Sequence, residues 1–253
     1  MSEKRPDPVF REDVTVELVK QSASDSDVLF AARVSTQGEK TRELAADAAD
    51  QSEESREKQL KRDAGLINYL MRDRHGSPFE HATFTFYIEG MIFAFREFMR
   101  HRIASYNEES GRYREMRPVF YVPSAERNLI QQGKPGAYEF VPGTQEQIDL
   151  VQSVYTENSI DSYNRYVTLL EAGVAREVAR GVLPLNLFSS MYVTMNARAL
   201  MNFLSLRTKR EGSHFPSFPQ REIEMIAEQM ENFFAQEMPA TYAAFNKNGR
   251  VAP

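Results

Sequence analysis

The chain has 253 residues, a length that suits one large domain or two small ones. Hydrophobic residues make up 42% of the chain and charged residues 26%, as in ordinary globular proteins, and no apolar run approaches the ~20 residues that span a bilayer. The net charge of -5 argues against a general nucleic-acid binder, and the absence of cysteine excludes disulfides, thiolate metal sites and cysteine nucleophiles. The N-terminus lacks the apolar segment of a secretory signal, so we expect a cytoplasmic protein that binds neither membranes nor nucleic acid.

The first part of the chain predicts a strand and two helices. Residues 14–19 form a short apolar alternation typical of a strand, and residues 25–34 predict a helix for which Ser24 is a good N-cap. Residues 61–73 carry apolar side chains at helical spacing. Between the two helices, residues 35–59 are rich in polar and small side chains, which predicts a polar insertion that carries no chemistry.

Residues 77–99 predict a turn, a strand and a helix in close succession. Ser77-Pro78-Phe79-Glu80 has the spacing of a capping box with proline at the first helical position, which predicts a brief helical turn. Residues 83–88 alternate Thr or Tyr with Phe or Ile, the period of a half-buried strand. Residues 91–99 return to a helical pattern that runs directly into an arginine-rich segment.

The middle of the chain predicts one short strand and one long helix. Residues 119–122 are strand-like and are ended by proline, and residues 131–143 contain enough glycine and proline to predict a loop. Residues 145–171 form a long amphipathic helical pattern, and residues 175–183 predict a short helix that is stopped by Pro184.

The last part of the chain completes a mixed fold. Residues 187–194 predict a strand, Asn196 is a good N-cap for a helix to residue 206, and residues 223–237 predict a final helix. Residues 208–220 are broken by prolines and predict a loop insertion. Helices and strands intermix without a regular βαβ rhythm, so we expect an α+β fold: a single domain over residues 1–253 that mixes long helices with a small, mostly antiparallel sheet.

The segment "RHRIASYNEESGRYRE", residues 100–115, places four arginines around one histidine. Guanidinium groups are fixed forks of donors that suit phosphate and planar carbonyls, and the backbone N–H groups of a turn at residues 110–112 can receive an anion. A nucleotide, anionic at one end and planar and polar at the other, fits these groups. The alternative is a surface ion network in which the arginines pair with Glu108, Glu109 and Glu115.

The four histidines of the chain, His75, His81, His101 and His214, do not predict a metal site. Zinc requires three or four ligands, usually at short paired spacings and often including cysteine, and His101 lies between two arginines that repel a divalent cation. The sequence also lacks the P-loop, the Rossmann glycine pattern and the G-x-S-x-G elbow. These absences argue against ATP hydrolysis, a doubly wound dinucleotide domain and a serine hydrolase.

Arg100-His101-Arg102, followed after seven residues by Ser110, resembles the RHR-x7-S signature of flavin-dependent thymidylate synthases. Three further segments resemble that family in the same order, namely "SPFEHATFTFYI" (77–88), "AREVARGVLPLNLF" (175–188) and "NARALMNFLSLR" (196–207). The resemblance covers residues 60–207 well and the ends weakly. By comparison with the family, the stretches 35–59 and 208–220 look expanded.

The resemblance implies the fold and the reaction of that family. The expected reaction converts dUMP to dTMP, with carbon from methylenetetrahydrofolate and electrons from NADPH through FAD. The expected assembly is a homotetramer with active sites shared between subunits. The cysteine-free composition agrees, because the other thymidylate synthases attack uracil with a cysteine thiolate, whereas a reduced flavin supplies a hydride.

The resemblance also assigns residues to roles. Arg207 matches the arginine against the uracil ring, where a guanidinium stabilises negative charge as the ring carbon becomes nucleophilic. The positions that match FAD-binding residues are His75, Ser77, Arg100, His101, Arg102, Glu108, Asn196, Arg198 and Asn202. The positions that match dUMP-binding residues are Glu97, Arg100, Glu108, Glu109, Ser110, Gly111, Arg112, Arg180 and Arg207. Arg180 is expected to act from a neighbouring subunit, and Glu97 stands where some members carry glutamine.

Two other functions stay open on the residues alone. A non-catalytic nucleotide- or RNA-binding module would use the same arginine-rich loop without a flavin. A different flavin reductase on the same scaffold would oxidise NADPH without a nucleotide.

Overall fold

The structure, a computed structural model, describes residues 5–38, 53–134 and 137–253. Its α-helices are α1 (Asp25–Gln37), α2 (Glu53–Arg72), α3 (Ile92–Phe98), α4 (Gln145–Glu171), α5 (Arg176–Ala179), α6 (Ala197–Arg207), α7 (Arg221–Glu237) and α8 (Pro239–Lys247). Its strands are β1 (Val9–Arg11), β2 (Thr15–Ser22), β3 (Thr83–Met91), β4 (Ser105–Glu108), β5 (Val119–Tyr121), β6 (Ile130–Lys134), β7 (Ala137–Val141) and β8 (Phe188–Asn196). The predicted α+β class is confirmed.

A four-stranded sheet with the order β2-β3-β8-β4 is the largest sheet in the described residues. Along β3 and β8 the backbone of residue 197 bonds to that of 82, and the backbone of 92 bonds to that of 187. The residue numbers of the bonded partners increase along β3 while they decrease along β8, so the two strands are antiparallel. The alternation predicted for residues 83–88 is confirmed, because Phe84, Phe86 and Ile88 are fully buried while the residues between them are half-buried.

Two smaller pairs of strands complete the β-structure described. β1 pairs with β5 in parallel, from Val9 opposite Val119 to Arg11 opposite Tyr121. β6 pairs with β7 in antiparallel register. Among the described residues, no helix combines the length and the apolar character needed to cross a bilayer.

The chain divides into two compact units. Unit 1 contains residues 1–16, 87–100 and 106–192, and unit 2 contains residues 17–86, 101–105 and 193–253. The core of unit 1 includes Phe120 and Tyr166, whose hydroxyl accepts a hydrogen bond from the buried Met116 amide at 3.2 Å. The core of unit 2 includes Phe234, which makes edge-on contacts with Phe84 and Phe245. The single domain over residues 1–253 stays a prediction.

Local capping signals correctly located several helix ends. The Ser24 side chain accepts from the amide of Asp27 at the start of α1, and the Asn196 side chain accepts from the amide of Ala199 at the start of α6. The long helix was predicted with the bounds it has, and Thr144 caps it. These signals are reliable because a cap and its partner amide lie within three residues of each other.

Two local predictions were wrong. Residues 131–143 do not form a loop, because β6 and β7 pair from Ile130 opposite Val141 to Lys134 opposite Ala137, with Gly133 at a φ of 92°. The glycines and prolines of this segment are instead those of a β-hairpin sequence. Pro135 and Gly136, between the two strands, lie outside the described residues. Ser77 is also not a helix cap. It begins a 3-10 turn, because Gly76 already has helical dihedrals and no side chain caps the turn.

The predicted polar insertion over residues 35–59 is only partly described. Residues 35–37 continue α1, residues 53–59 open α2, and residues 39–52 lie outside the described part. Helix α2 starts before the predicted residue 61. Its first turns have no apolar stripe, but they contain ion pairs between residues four apart, Lys58 with Glu54 and Lys61 with Glu57, which stabilise a helix. Residues 208–220 contain no helix or strand, as predicted. Strands β1 and β4 and helix α8 were missed.

Candidate active site

A tight turn at Ser110 in unit 1 carries the end of the arginine signature. The Ser110 hydroxyl accepts a hydrogen bond from the Arg112 amide at 3.3 Å, and the Ser110 carbonyl accepts from the Tyr113 amide at 3.0 Å. The turn comes shortly after β4: Glu108 is the last residue of the strand, and Glu109 connects it to Ser110. The geometry resembles the concave backbone that receives anions in proteins.

Gly111 permits a close approach of Arg180 to this turn. A Cβ atom added at Gly111 would lie 2.9 Å from the Met116 sulfur and 3.1 Å from Arg180 Cδ, so a larger residue would displace both side chains. Arg180 therefore lies beside Gly111 of its own chain, on the short 3-10 turn Arg180–Val182. Its contribution to a neighbouring subunit stays a prediction.

A recess of about 360 Å³ opens beside the turn within unit 1. This volume falls in the range of small-molecule sites. It is lined by Tyr87, Asn107, Glu108, Glu109, Ser110, Tyr113, Arg114, Ser190, Met191 and Tyr192. Three of the residues predicted to bind dUMP, Glu108, Glu109 and Ser110, are thus brought to one recess.

The carboxylate of Glu109 is the most buried charge in the lining, with a side-chain exposure of 6%. It pairs with Arg114 Nε at 3.1 Å and accepts from the Ser190 hydroxyl at 3.3 Å. Arg112 pairs with Glu177 at 3.0 Å, with both side chains more than half exposed. Of the pairs expected in the alternative of a surface ion network, Arg114 with Glu109 is present, but its carboxylate is buried, and Arg112 pairs instead with Glu177. Pairs as exposed as that of Arg112 contribute little to stability.

Tyr106 on β4 ties this strand to the end of α3. Its ring packs edge-on against Phe98 at 5.9 Å, and its hydroxyl donates to the Phe98 carbonyl at 3.1 Å. Burial raises the pKa of Tyr106 to about 12, so this donor keeps its proton at any physiological pH. The amide of Arg100 bonds to the carbonyl of Glu97 at 3.2 Å, so the two predicted substrate residues lie on the turn that ends α3. Arg100 itself is exposed.

In unit 2, Arg207 meets His101. Arg207 Nε donates to His101 Nε2 at 3.1 Å, although 106 residues separate them. Phe203, one helical turn before Arg207 on α6 and fully buried, packs edge-on against the His101 ring with centroids 4.9 Å apart. An imidazole nitrogen that accepts a hydrogen bond carries no proton, so His101 is neutral with its proton on Nδ1.

Burial, with the positive charge of Arg207 as a second cause, lowers the pKa of His101 from 6.5 to about 4. A protonated His101 would lose the lone pair that accepts from Arg207 and would repel it. The contact is therefore maintained throughout the neutral pH range.

We expect this depressed pKa to make the protein less stable in mild acid. The unfolded chain protonates His101 below pH 6.5 while the folded chain does not, so stability falls as pH drops from 6.5 to about 4 and levels off below that. We expect a loss of about 2 kcal/mol in total, because partial exposure to solvent screens part of the penalty. Urea unfolding at several pH values checks this. His101→Gln, which can still accept from Arg207, should flatten the dependence in that window, and an unchanged slope in this variant would assign the effect elsewhere.

Arg198 is held by two groups of unit 2. Its Nη1 pairs with the Glu80 carboxylate at 2.6 Å, and its Nε donates to the Pro253 carbonyl at 2.5 Å. A Cβ atom added at Gly76 would lie 2.6 Å from Arg198 Nε and 2.8 Å from that carbonyl oxygen. The backbone that leads into Ser77 therefore passes directly against the Arg198 guanidinium, which only glycine allows.

The remaining predicted flavin residues of unit 2 have varied surroundings. Asn202 lies four residues after Arg198 on α6, so the two exposed side chains share a helix face. Asn196 caps α6 with its side-chain oxygen at 2.9 Å from the Ala199 amide, and Arg102 is exposed. His75 is exposed and stacks on Tyr69 with ring centroids 5.6 Å apart.

The tyrosines of the recess were missed in the sequence analysis. Tyr87 and Tyr192 lie on facing strands with ring centroids 5.6 Å apart, and Tyr192 is 48% exposed. A signal was present, because Tyr87 occupies the polar phase of the β3 alternation, where an aromatic side chain faces away from the core. Within residues 5–38, 53–134 and 137–253, no cluster of three or more His, Asp or Glu side chains could hold a metal ion.

Comparisons with known proteins identify the family of the chain. Residues 17–240 match the family described as Thymidylate synthase complementing protein. The flavin-dependent thymidylate synthase of Streptomyces avermitilis is 62% identical over 247 residues, which cover 97% of this chain and 96% of that protein. The flavin-dependent thymidylate synthase of Tropheryma whipplei is 58% identical over 247 residues, which cover 98% of each chain.

A solved structure is similar over the same length. The crystal structure of the UMP/dUMP methylase PolB from Streptomyces cacaoi bound with 5-Br dUMP is 50% identical, with a TM-score of 0.86, and covers 97% of this chain and all of that one. The resemblance and the fold expected from it are thereby confirmed. With the signature residues in place and near full-length matches on both sides, this chain belongs to the flavin-dependent thymidylate synthase family.

Proposed function

We propose that this chain catalyses the reductive methylation of dUMP to dTMP, with FAD as cofactor and with methylenetetrahydrofolate and NADPH as co-substrates. Family membership over nearly the whole chain supports the reaction. The observation that carries the chemistry is the bond from Arg207 Nε to His101 Nε2, which gives a fixed direction to the arginine expected at the uracil ring. A cytoplasmic homotetramer with shared sites stays a prediction.

The residues of unit 2 fit an FAD molecule. A flavin diphosphate needs cationic and neutral N–H donors, and Arg198 and Asn202 offer both on one exposed face of α6. Gly76 leaves room for backbone to approach Arg198 closely. Arg198 and Asn202, with Ser77 and Arg102, would hold the cofactor. The Arg198 guanidinium would then pair with both a phosphate and Glu80. FAD supplies the hydride chemistry that no side chain can perform.

Arg207 would act on the pyrimidine. Its guanidinium would supply positive charge beside the ring, and His101 does not repel that charge, because it stays neutral. With Nε engaged by His101, the planar Nη side of the guanidinium is the side proposed to donate to the oxygen atoms of the ring. A donor fixed before the reaction stabilises negative charge that develops on the ring without the cost of reorganisation.

The nucleotide itself would be bound by unit 1. The turn at Ser110 and Gly111, with Arg112 and Arg180, would receive the phosphate, and Glu108 at the end of β4 would accept from a sugar hydroxyl or a ring N–H group. Glu109 would serve mainly to hold Arg114, since its carboxylate is buried and already paired.

A direct assay tests the proposed function. The purified protein should be yellow, its visible absorbance should bleach with NADPH, and dTMP should form only when methylenetetrahydrofolate is present. Replacing dUMP by UMP in the same assay measures the choice between deoxyribose and ribose. A folded, FAD-loaded protein that leaves dUMP unchanged under these conditions would contradict the proposal.

The same assay separates the two alternatives. A flavin reductase would oxidise NADPH steadily without nucleotide. A nucleotide- or RNA-binding module would be colourless and would lose affinity steeply with salt.

A further inference from the structure

A buried charge cluster lies next to the end of the helix that carries Arg207. Arg250 and Glu231 are each 3% exposed, and Arg250 Nη1 pairs with Glu231 Oε1 at 2.7 Å. Arg210 Nη2 pairs with the other carboxylate oxygen at 2.9 Å, and the Tyr242 hydroxyl donates to Glu231 at 3.1 Å. Neither the signature nor the resemblance assigns these residues a role. Charges are buried at such cost only where several partners hold them.

Arg250 is held rigidly in this cluster. Its backbone has a φ of 57°, which is uncommon for a residue other than glycine, and its amide bonds to the Phe245 carbonyl at 2.9 Å. Its guanidinium lies over the Phe245 ring at 4.8 Å and donates to the Asn246 side chain at 2.5 Å. Backbone, ring and amide therefore determine where the rest of the fork points.

The remaining arm of the fork points at Thr208. Arg250 Nη2 donates to Thr208 Oγ1 at 2.9 Å, and Thr208 is fully buried. The same hydroxyl donates to the Leu204 carbonyl at 2.7 Å, and the Thr208 amide bonds to that carbonyl at 3.0 Å. The hydroxyl thus uses its single proton on the helix and its lone pair on Arg250.

Thr208 determines how α6 ends. It is the first residue after the helix, with extended dihedrals, and it directly follows Arg207. Its carbonyl accepts from the Ser217 hydroxyl at 2.6 Å, while the Lys209 amide donates to Glu224 at 3.0 Å. The peptide group between Thr208 and Lys209 is therefore held at both its carbonyl and its amide, one residue after Arg207.

We infer that Arg250 is a positioning residue for Arg207, acting through the Thr208 hydroxyl and held in place by Glu231. The inference rests on the proposed function, because it concerns the direction in which Arg207 presents its guanidinium. Without the Thr208 hydroxyl, the last turn of α6 loses its side-chain bond to Leu204 and its tie to Arg250. Arg207 then keeps its charge and its place in the chain but loses its fixed direction.

The test compares Thr208→Val with Thr208→Ser. Valine keeps the branched shape and removes the hydroxyl, whereas serine keeps the hydroxyl. We expect Thr208→Val to lower kcat, measured per bound flavin, by about 10-fold or more, because small misplacements of a catalytic group are costly. The KM for dUMP should change by less than about threefold, since the phosphate contacts are proposed to lie in unit 1. Thr208→Ser should stay within about twofold of the unmodified protein.

A stability control separates positioning from a general loss of structure. Asp25 accepts three hydrogen bonds from Ala240 and Thr241 at the start of α8, each 2.6–2.8 Å long. Asp25→Ala should lower the unfolding temperature as Thr208→Val does, yet keep kcat within about twofold. If Asp25→Ala loses as much kcat as Thr208→Val, or if Thr208→Val keeps its kcat, the positioning role is wrong.

A second readout does not depend on turnover. The chain has four histidines, so the His101 imidazole can be resolved by NMR and assigned with His101→Gln. Thr208→Val should shift this resonance because Arg207 Nε no longer sits at Nε2, while Asp25→Ala should not. An unshifted His101 resonance in Thr208→Val would overturn the inference, whether or not the protein makes dTMP. A protein that makes no dTMP would refute only the proposed function. Should Thr208→Val fail to fold, Arg250→Lys keeps the charge beside Glu231 but lacks the fork that reaches Thr208, and should give the same two effects.

Discussion

Replacing Arg207 by alanine is expected to lower dTMP formation by about 10²–10³-fold, the usual cost of removing one donor that stabilises charge in a transition state. The guanidinium is proposed to stabilise the uracil ring while its carbon attacks, and the neighbouring His101 does not replace that charge, because it is held neutral. The measurement is single-turnover formation of dTMP per bound flavin. Unfolding should change little, since Arg207 is only partly buried at a helix end.

Arg207→Lys is the matched control for charge. Lysine keeps the positive charge but has no Nε–H group to donate to His101 and no planar pair of donors for the ring. We expect an activity between those of alanine and arginine. Visible spectra of both variants should show bound flavin, because Arg207 is not proposed to hold the diphosphate. Turnover by Arg207→Ala near the original rate would assign the activation of the ring to another residue.

Replacing Glu231 by glutamine is expected to lower the free energy of unfolding by about 3–5 kcal/mol, because it leaves a buried guanidinium without its counter-charge. Arg250 is 3% exposed and Glu231 is the carboxylate paired with it in the described structure. A loss of this size is a large fraction of the 5–15 kcal/mol that stabilises an ordinary domain. Urea unfolding at constant FAD concentration measures it.

Glu228→Gln controls for surface charge on the same helix. Glu228 lies three residues before Glu231 on α7 and pairs with Arg210 and Arg221, but its side chain is 32% exposed. We expect its loss to cost less than about 1 kcal/mol. The double variant Glu231→Met, Arg250→Met should be more stable than Glu231→Gln, because it removes both buried charges together. Equal losses for Glu231→Gln and Glu228→Gln would show that the cluster is not a buried ion pair in solution.

Much of the local structure could be predicted because its signals act over a few residues. The caps at Ser24 and Asn196 and the bounds of α4 follow from side chains next to the amides they bond. The hairpin of β6 and β7 was missed because glycine and proline mark a hairpin and a loop alike, and only pairing distinguishes them. The 3-10 turn at Ser77 was found, but its cap was misassigned by one residue because Gly76 had already taken up helical dihedrals.

The sequence by itself determined the family, the order of most elements and the residue types at the site. The arginine signature and its companion segments are patterns of adjacent residues, so they can be recognised without knowledge of the fold. Tertiary structure alone decided that Arg207 donates to a histidine 106 residues away, that Arg180 lies against Gly111, and that Arg250 reaches Thr208. These contacts join elements far apart in the chain, and no local propensity encodes them. Burial then does the rest: by removing water it keeps His101 neutral and makes the pair of Arg250 and Glu231 depend on each other.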